Sequence, residues 1–372
     1  MSQVIRAGLV GCGSLSQRGV LPHLSQADAR SKIQLVAVAD AVEERARQTA
    51  ERFGVPQFFT SVEDMLKGSD LDLVLVITPI THHYANAMAA ISAGKHVYVQ
   101  KAMTVTLAEA DALLAARDRM GVKLAAAPGY ELCTTTAHMR ELIQSGAIGK
   151  ASVAYTYTMG FGHEHEPIRA GSGALAEIDP SWYYRQGAGP LPDVTVYSLQ
   201  LITSLLGPVR RVTALANMLR PTRTWRDRTI DLDTSDNQVV VMEFMSGALG
   251  VAVGSDSRGS LSAPWGGLEL YGTSGTLNIT DVDHASGYPI GFELQGGQRF
   301  THRLDAQPYL AGEHLQIEEP HVYVDIMDLV DAIRDNRAPR AAGEQARHVV
   351  EIIECAHRAA RTGQAQELSS TF

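Results

Sequence analysis

Basic residues are in deficit. Lys and Arg together number 32 against 41 Asp and Glu, a formal net charge of −9. A nucleic-acid partner needs a basic face to meet its phosphates, and no run of Lys or Arg supplies even a local one, so that class is excluded. Cysteine is scarcer still: Cys12, Cys133 and Cys355, odd in number and far apart. They draw neither a disulfide framework nor a paired-cysteine metal knuckle, which fits a reducing cytoplasm, and no metal site is expected. The longest apolar run, around LDLVLVITPI, falls far short of the roughly 20 residues that a membrane span requires. The opening MSQVIRAGLVGCG enters a strand pattern at once and lacks the apolar stretch of a leader. Secreted and membrane roles are therefore not expected; a cytoplasmic one is.

What is present reads as an ordinary globular chain. Hydrophobic residues make up 45% and charged residues 20% of the 372 positions. A single core rarely grows past about 250–300 residues, so two domains are expected. The first part alternates strand-like runs (Val4–Val10, Leu35–Ala39, Leu73–Ile77, His96–Val99, Val122–Ala126) with helical ones (Val42–Phe53, His83–Ala93, Leu107–Met120). Strands apolar on both faces and separated by helices mean βαβ units around a buried parallel sheet. The character changes near Pro128, which sets the domains at 1–127 and 128–372. The second part places strands at Ser152–Met159, Val209–Leu219, Gln238–Phe244, Ala248–Ser255 and Gly267–Tyr271, with weaker ones near Leu277–Ile279 and Phe292–Leu294. Short turns between several of them point to a large, mostly antiparallel open sheet. Helices are expected at Met139–Ser145, Asp193–Leu206, Tyr323–Arg334 and Glu344–Arg361. The overall class is α/β: a βαβ part with a parallel sheet followed by an α+β part.

Gly11-Cys12-Gly13 lies between the first strand and a helical stretch. The first glycine permits a tight turn, and the second lets the backbone approach a pyrophosphate resting on the helix N-terminus. Ser16 stands where the fingerprint has its third glycine. Asp40 closes the second strand, 40 − 13 = 27 residues after Gly13. A carboxylate there accepts from ribose hydroxyls and repels a 2′-phosphate, so NAD is expected in preference to NADP. A helix-capping or turn role for Asp40 fits the same position.

The stretch ITPITHHYANAMAAISAGKHVYVQKAMTVTLAEADAL resembles the signature of the glucose–fructose oxidoreductase / inositol dehydrogenase / rhizopine catabolism (Gfo/Idh/MocA) family. Thr78, Pro79 and His83 match its motif; Gln100-Lys101-Ala102 stands for Glu-Lys-Pro. Further on, GAGPLPDVTVYSL resembles a second family segment, with Asp193 matching its Asp and Tyr197 at its His position, where some relatives also carry Tyr. The closing helices fit as well. The resemblance implies a Rossmann domain, a C-terminal sheet that joins subunits into a homodimer or homotetramer, and NAD(P)-linked chemistry on sugars, polyols or similar small molecules. It places Gly11, Cys12, Gly13, Ser14, Leu15, Asp40, Thr78, Pro79, His83, Gln100 and Lys101 on the cofactor side.

The reaction needs hydride transfer to or from the nicotinamide and movement of one proton; the cofactor does the first and the protein the second. Lys101, just past a parallel strand, stands at the sheet edge where ligands bind, able to donate to the substrate oxygen. Asp193 and Tyr197 are four apart on an expected helix and share a face. A phenol is a poor base at neutral pH until a cation lowers its pKa, and Lys101 is the nearest candidate. Lys101, Tyr197 and Asp193 are therefore the expected catalytic group, with a Lys/Tyr proton-transfer pair. Trp182, Tyr183, Tyr184 and Arg185 add aromatic faces and a guanidinium suited to a sugar-like substrate, alongside Asp193 and Tyr197.

Gly160–Pro192 shows no periodicity and reads as a long functional loop. Its His163, Glu164, His165 and Glu166 lack HExxH spacing and read as solvated; His82 reads as solvent-facing too. The sequence leaves two other classes open. One is an NAD-dependent glycosidase that transiently oxidises its sugar. The other is a sensor that binds NAD or a sugar without chemistry, disfavoured by the retained Lys101, Asp193 and Tyr197.

Overall fold

The computed structural model describes residues 4–257, 266–283, 288–294 and 297–372. Six strands form a parallel sheet: β1 (Ile5–Val10), β2 (Ile33–Ala39), β3 (Gln57–Phe59), β4 (Leu73–Val76), β5 (His96–Val99) and β6 (Leu124–Ala126), in the order β3-β2-β1-β4-β5-β6. The chain order reverses between β1 and β4, which opens the crevice at their carboxyl ends where α/β sheets bind ligands.

The two faces of this sheet are sorted by alternation. In β4, Leu73 and Leu75 face one core cluster, Val74 and Val76 the other; in β5, Tyr98 opposes Val97 and Val99. This is the period-2 rule for strands. Helices His83–Ser92 and Leu107–Met120 cover one face. The helix Leu107–Met120 starts on a capping box, Thr106 with Glu109, and stops at Gly121 in the left-handed region. Much of the other face is covered from far along the chain, by the helix Pro320–Arg334, whose Val322, Ile326, Leu329 and Val330 join Ile5, Leu9, Leu73 and Leu75 in one core.

The second sheet has nine strands among the described residues. They are β7 (Ala151–Met159), β8 (Val209–Asn217), β11 (Asn237–Phe244), β12 (Leu249–Ser255), β13 (Gly267–Gly272), β14 (Thr276–Val282), β15 (Pro289–Leu294), β16 (Gln298–Thr301) and β17 (Gln366–Glu367). Their order is β16-β15-β14-β13-β7-β12-β11-β8-β17, antiparallel except for the parallel pair β12–β7. A separate hairpin, β9 (Thr222–Trp225) with β10 (Arg228–Asp231), packs against the Tyr183–Tyr184 turn. No helix among the described residues is long and apolar enough to cross a membrane.

The expected helix at Asp193–Leu206 divides in two. A π-turn at Leu191–Thr195 precedes an α-helix at Val196–Leu206, whose residues are buried apart from Leu206 and which packs on the inner face of the second sheet. The segment Gly160–Pro192, aperiodic in sequence, forms three short 3₁₀ turns, His163–His165, Pro167–Ala170 and Ser181–Tyr184. The adjacent valines of β11 sort by alternation: Val240 and Met242 are buried, Val239 and Val241 exposed.

Candidate active site

A cleft of about 1210 Å³ runs along the carboxyl ends of β1, β2, β4 and β5. At its nucleotide end the glycines have distinct tasks. Gly11 has φ +97°, and a Cβ there would sit 2.5 Å from the Ile77 carbonyl oxygen, so no side chain fits. A Cβ on Gly13 would meet no protein atom within 4 Å; the space it leaves belongs to the cleft. The helical stretch from Ser14 to Leu24 begins there, offering unpaired backbone N–H groups to an anion. Gly13, Ser14 and Leu15 line the cleft, as do Thr78, Pro79 and Gln100. These features fit a dinucleotide's pyrophosphate.

Asp40 also lines the cleft, and it braces the turn. Its Oδ2 accepts from the Cys12 N–H at 2.9 Å, and its Oδ1 from the Val42 N–H at 2.9 Å and from Arg45 at 3.1 Å. Cys12 contributes that backbone N–H while its side chain is fully buried. His83 is likewise structural: its ring nitrogens lie 2.8 Å from the carbonyl oxygens of Ala102 and Thr78, tying together two cleft-edge segments. His82 is exposed, as expected.

The Lys101–Ala102 peptide is cis. The Lys101 Nζ donates to Asp193 Oδ1 at 2.7 Å, and both groups are largely buried. Asp193 is shared: its Oδ2 accepts from His163 Nε2 at 2.8 Å. The other ring nitrogen of His163 bonds Glu166, and Glu166 Oε2 accepts from Arg169 Nε at 2.9 Å. A line of alternating charge thus runs Arg169–Glu166–His163–Asp193–Lys101. Burial alone would lower the imidazole's pKa, but Glu166 and Asp193 outweigh it and His163 is pushed up to about 9. Burial would raise Asp193; Lys101 and His163 outweigh that and hold its carboxyl well below the usual range. His163 and the buried Glu164, read from sequence as solvated, are therefore internal. The loop folds back so that the Tyr184 hydroxyl meets Glu164 while His163 reaches Asp193.

Tyr197 shares the cleft with Lys101, whose Nζ lies 5.5 Å from the ring centre. Its hydroxyl, however, lies 3.3 Å from His321 Nε2. Burial first, then Glu319 and Asp193, push the phenol well above its ordinary pKa. The expected depression by Lys101 does not occur: burial dominates, and the Lys101 ammonium pairs with Asp193. Of the aromatic group, Trp182 and Tyr183 line the cleft. Tyr184 is buried behind it, and Arg185 points outward beside Asp233 at 3.8 Å. His163, Glu166, Arg169, Arg18, Glu319 and His321 were not anticipated. The aperiodic loop and the Glu-Glu-Pro-His start of a helix carry no spacing that marks them.

Comparison with known proteins follows the same lines. Residues 5–127 match the oxidoreductase family model for an NAD-binding Rossmann fold, GFO_IDH_MocA, and residues 136–278 the GFO/IDH/MocA C-terminal domain. The chain is 25% identical over 279 residues to a myo-inositol 2-dehydrogenase of Thermotoga maritima, covering 75% of this chain and 76% of that one. It is 24% identical over 370 residues to a D-apiose dehydrogenase of Paraburkholderia graminis, covering 98% and 90%. Two further curated matches span only 54% and 57% of the relative's length. A solved levoglucosan dehydrogenase in complex with NADH superposes with a TM-score of 0.81 at 19% identity, over 99% of this chain and 100% of that one, a likeness of fold.

The charge state of His163 is open to measurement. Its folded pKa of about 9 stands above the ordinary 6.5, so its ion pairs contribute stability that is complete below about 6.5 and lost as pH rises through about 9. The difference in unfolding midpoint between wild type and His163→Gln is expected to be largest near the acid end of that window and to shrink across it. A difference independent of pH would show that the ring is neutral in the fold.

Proposed function

Because the chain belongs to the Gfo/Idh/MocA oxidoreductase family, we propose that it is an NAD-dependent dehydrogenase or reductase acting on a secondary hydroxyl or carbonyl of a sugar, polyol or similar small molecule. The observation that carries this reading is the Lys101 ammonium, held by buried Asp193 in the same cleft as the Gly11–Leu15 turn. When bound, the nicotinamide would accept or supply the hydride. Lys101 donates to the reacting oxygen and stabilises the alkoxide that develops there. Tyr197, beside it, completes a Lys/Tyr pair that exchanges the proton at that oxygen. Trp182 and Tyr183 offer aromatic faces to the C–H faces of the substrate.

The test is turnover of purified protein with NAD against sugars, inositols and their glycosides, following both nicotinamide absorbance and product release. NADH formation from a free sugar or polyol is expected, with Lys101→Met slower by about a hundredfold or more. Glycoside cleavage without net NADH would instead favour the glycosidase that oxidises its sugar transiently.

Asp40, which closes the second strand and lines the cleft, supports NAD over NADP, since a carboxylate at that strand end repels a 2′-phosphate. Wild-type protein is expected to bind NAD more tightly in calorimetry, and Asp40→Ser to narrow the ratio by about tenfold, roughly 1.4 kcal/mol. Tighter binding of NADP by wild type would reverse the assignment.

The outer face of the second sheet supports a homodimer or homotetramer. Leu215, at 77% exposed, stands opposite Val239 in the ladder, and Val241, Leu249, Tyr155 (48%) and Tyr271 continue the apolar face across the neighbouring strands. A continuous apolar face of this kind marks an interface. Sedimentation at micromolar concentration is expected to show a dimer or tetramer, and Val241→Glu with Leu215→Glu to lower the mass to that of a monomer. A monomeric wild type would remove the proposal.

A further inference from the structure

The cleft holds a second line of histidine, glutamate and arginine, His321, Glu319 and Arg18, beside Tyr197. His321 is the second residue of the helix Pro320–Arg334. Its Nε2 faces the Tyr197 hydroxyl at 3.3 Å, and its Nδ1 faces Glu319 Oε2 at 3.5 Å. Glu319 in turn bonds Arg18 at 2.5 Å, and Glu318 bonds the same guanidinium at 2.8 Å. Arg18 belongs to the helical stretch that starts at the nucleotide turn. The close packing there requires Gly19, where a Cβ would come within 2.8 Å of Glu319 Cβ.

We propose, resting on the dehydrogenase reading above, that His321 is a positioning residue of the reaction, the group with which the Tyr197 hydroxyl exchanges its proton. No hydrogen bond joins Nδ1 to Glu319 at 3.5 Å, but the carboxylate's charge favours the ring's single proton on that side, which leaves Nε2 as an acceptor facing the phenol. In the oxidative direction the substrate's O–H bond breaks and its proton passes to Tyr197 Oη. The phenol's own O–H bond breaks at the same time, and that proton passes to His321 Nε2. The electron pair of the substrate C–H bond leaves as hydride to an oxidised nicotinamide dinucleotide. The imidazolium so formed faces Glu319, and the steps reverse in reduction. A phenol that burial keeps protonated can thus relay a proton without ever becoming a free phenolate.

The surroundings keep the resting ring uncharged. Tyr197, Tyr288 and Glu319 face it, with the charges of Arg18 and Lys101 and the ring of His23 nearby. Burial above all, with Lys101 and Arg18, outweighs Glu319 and lowers His321 to about 4.

The experiment is NMR of protein carrying ¹⁵N-labelled histidine, without ligands, with the His321 signal assigned from His321→Gln or, if that variant does not fold, from contacts to the Tyr197 and Tyr288 rings. The expected ring is neutral at pH 7 with the proton on Nδ1, and Tyr197→Phe shifts the Nε2 resonance. A proton on Nε2, or a charged ring at pH 7, overturns the relay. In turnover, His321→Gln is expected to lower kcat about a hundredfold with little change in KM, since Gln can accept a hydrogen bond but not a proton. The double variant with Tyr197→Phe should lose little more than the worse single variant. Full kcat in His321→Gln overturns the relay and leaves the dehydrogenase reading standing. If no substrate yields NADH, that reading fails and the relay falls with it, whereas a proton on Nε2 overturns the relay alone.

Discussion

The site depends on one buried carboxylate serving two cations. Asp193 is almost wholly out of water, a position that costs several kcal/mol for an unpaired ion. Lys101 and His163 offset that cost from either oxygen. Neither cation is spare: taking one away leaves the other to balance Asp193 alone and changes where the carboxylate points. The orientation of the Lys101 ammonium therefore rests on His163, a loop residue that reaches it only through Asp193. The loop's own anchor, Glu166 with Arg169, extends the same logic outward until the charge reaches less buried ground.

Two histidines in one cleft are driven to opposite charge states by their neighbours. His163 has a carboxylate on each nitrogen and holds its proton to about pH 9. His321 has a phenol on one side and a more distant carboxylate on the other, with two cations nearby, and burial keeps it neutral. Environment, more than residue type, assigns the charge states. Tyr197 and His321 come from different helices and meet at 3.3 Å in the same cleft.

What the sequence makes legible is what backbone geometry dictates locally. Gly11 and Gly13 can be read because a tight turn and an open approach forbid side chains; Asp40, Lys101 and Asp193 because they end strands or open a helix at known offsets. The parallel sheet follows from strands apolar on both faces. Legibility fails where position comes from distant packing. Nothing in Gly160–Pro192 has a period, so the placement of His163 against Asp193 depends on three short turns folding back. The hairpin β9–β10 and the short strands β3, β16 and β17 were missed for a related reason: segments of two to four residues are too short for a pattern to emerge. Tyr184 and Arg185 flank the cleft in sequence, yet the turn at Ser181–Tyr184 points one inward behind the wall and the other to solvent.

The helix Pro320–Arg334 joins fold and site. It supplies apolar cover for the parallel sheet, so the core of the nucleotide-binding part closes only when residues from the end of the chain have docked. Its Asp325 accepts from the Tyr98 hydroxyl at 3.3 Å and from the Gly129 N–H at 3.2 Å. The Tyr98 hydroxyl in turn accepts from Gln100, whose Oε1 accepts from the Lys101 N–H at 3.3 Å. One turn earlier, the same helix presents His321 to Tyr197. A single apolar docking event therefore sets the backbone behind Lys101 and the ring behind Tyr197 together. The polar contacts alone are too few and too long to fix such positions; the buried face of the helix does that, and the hydrogen bonds select the register. The backbone at Lys101 and the hydroxyl of Tyr197 are in this way both tied to one helix, the kind of support that fixes the relative placement of two cleft side chains.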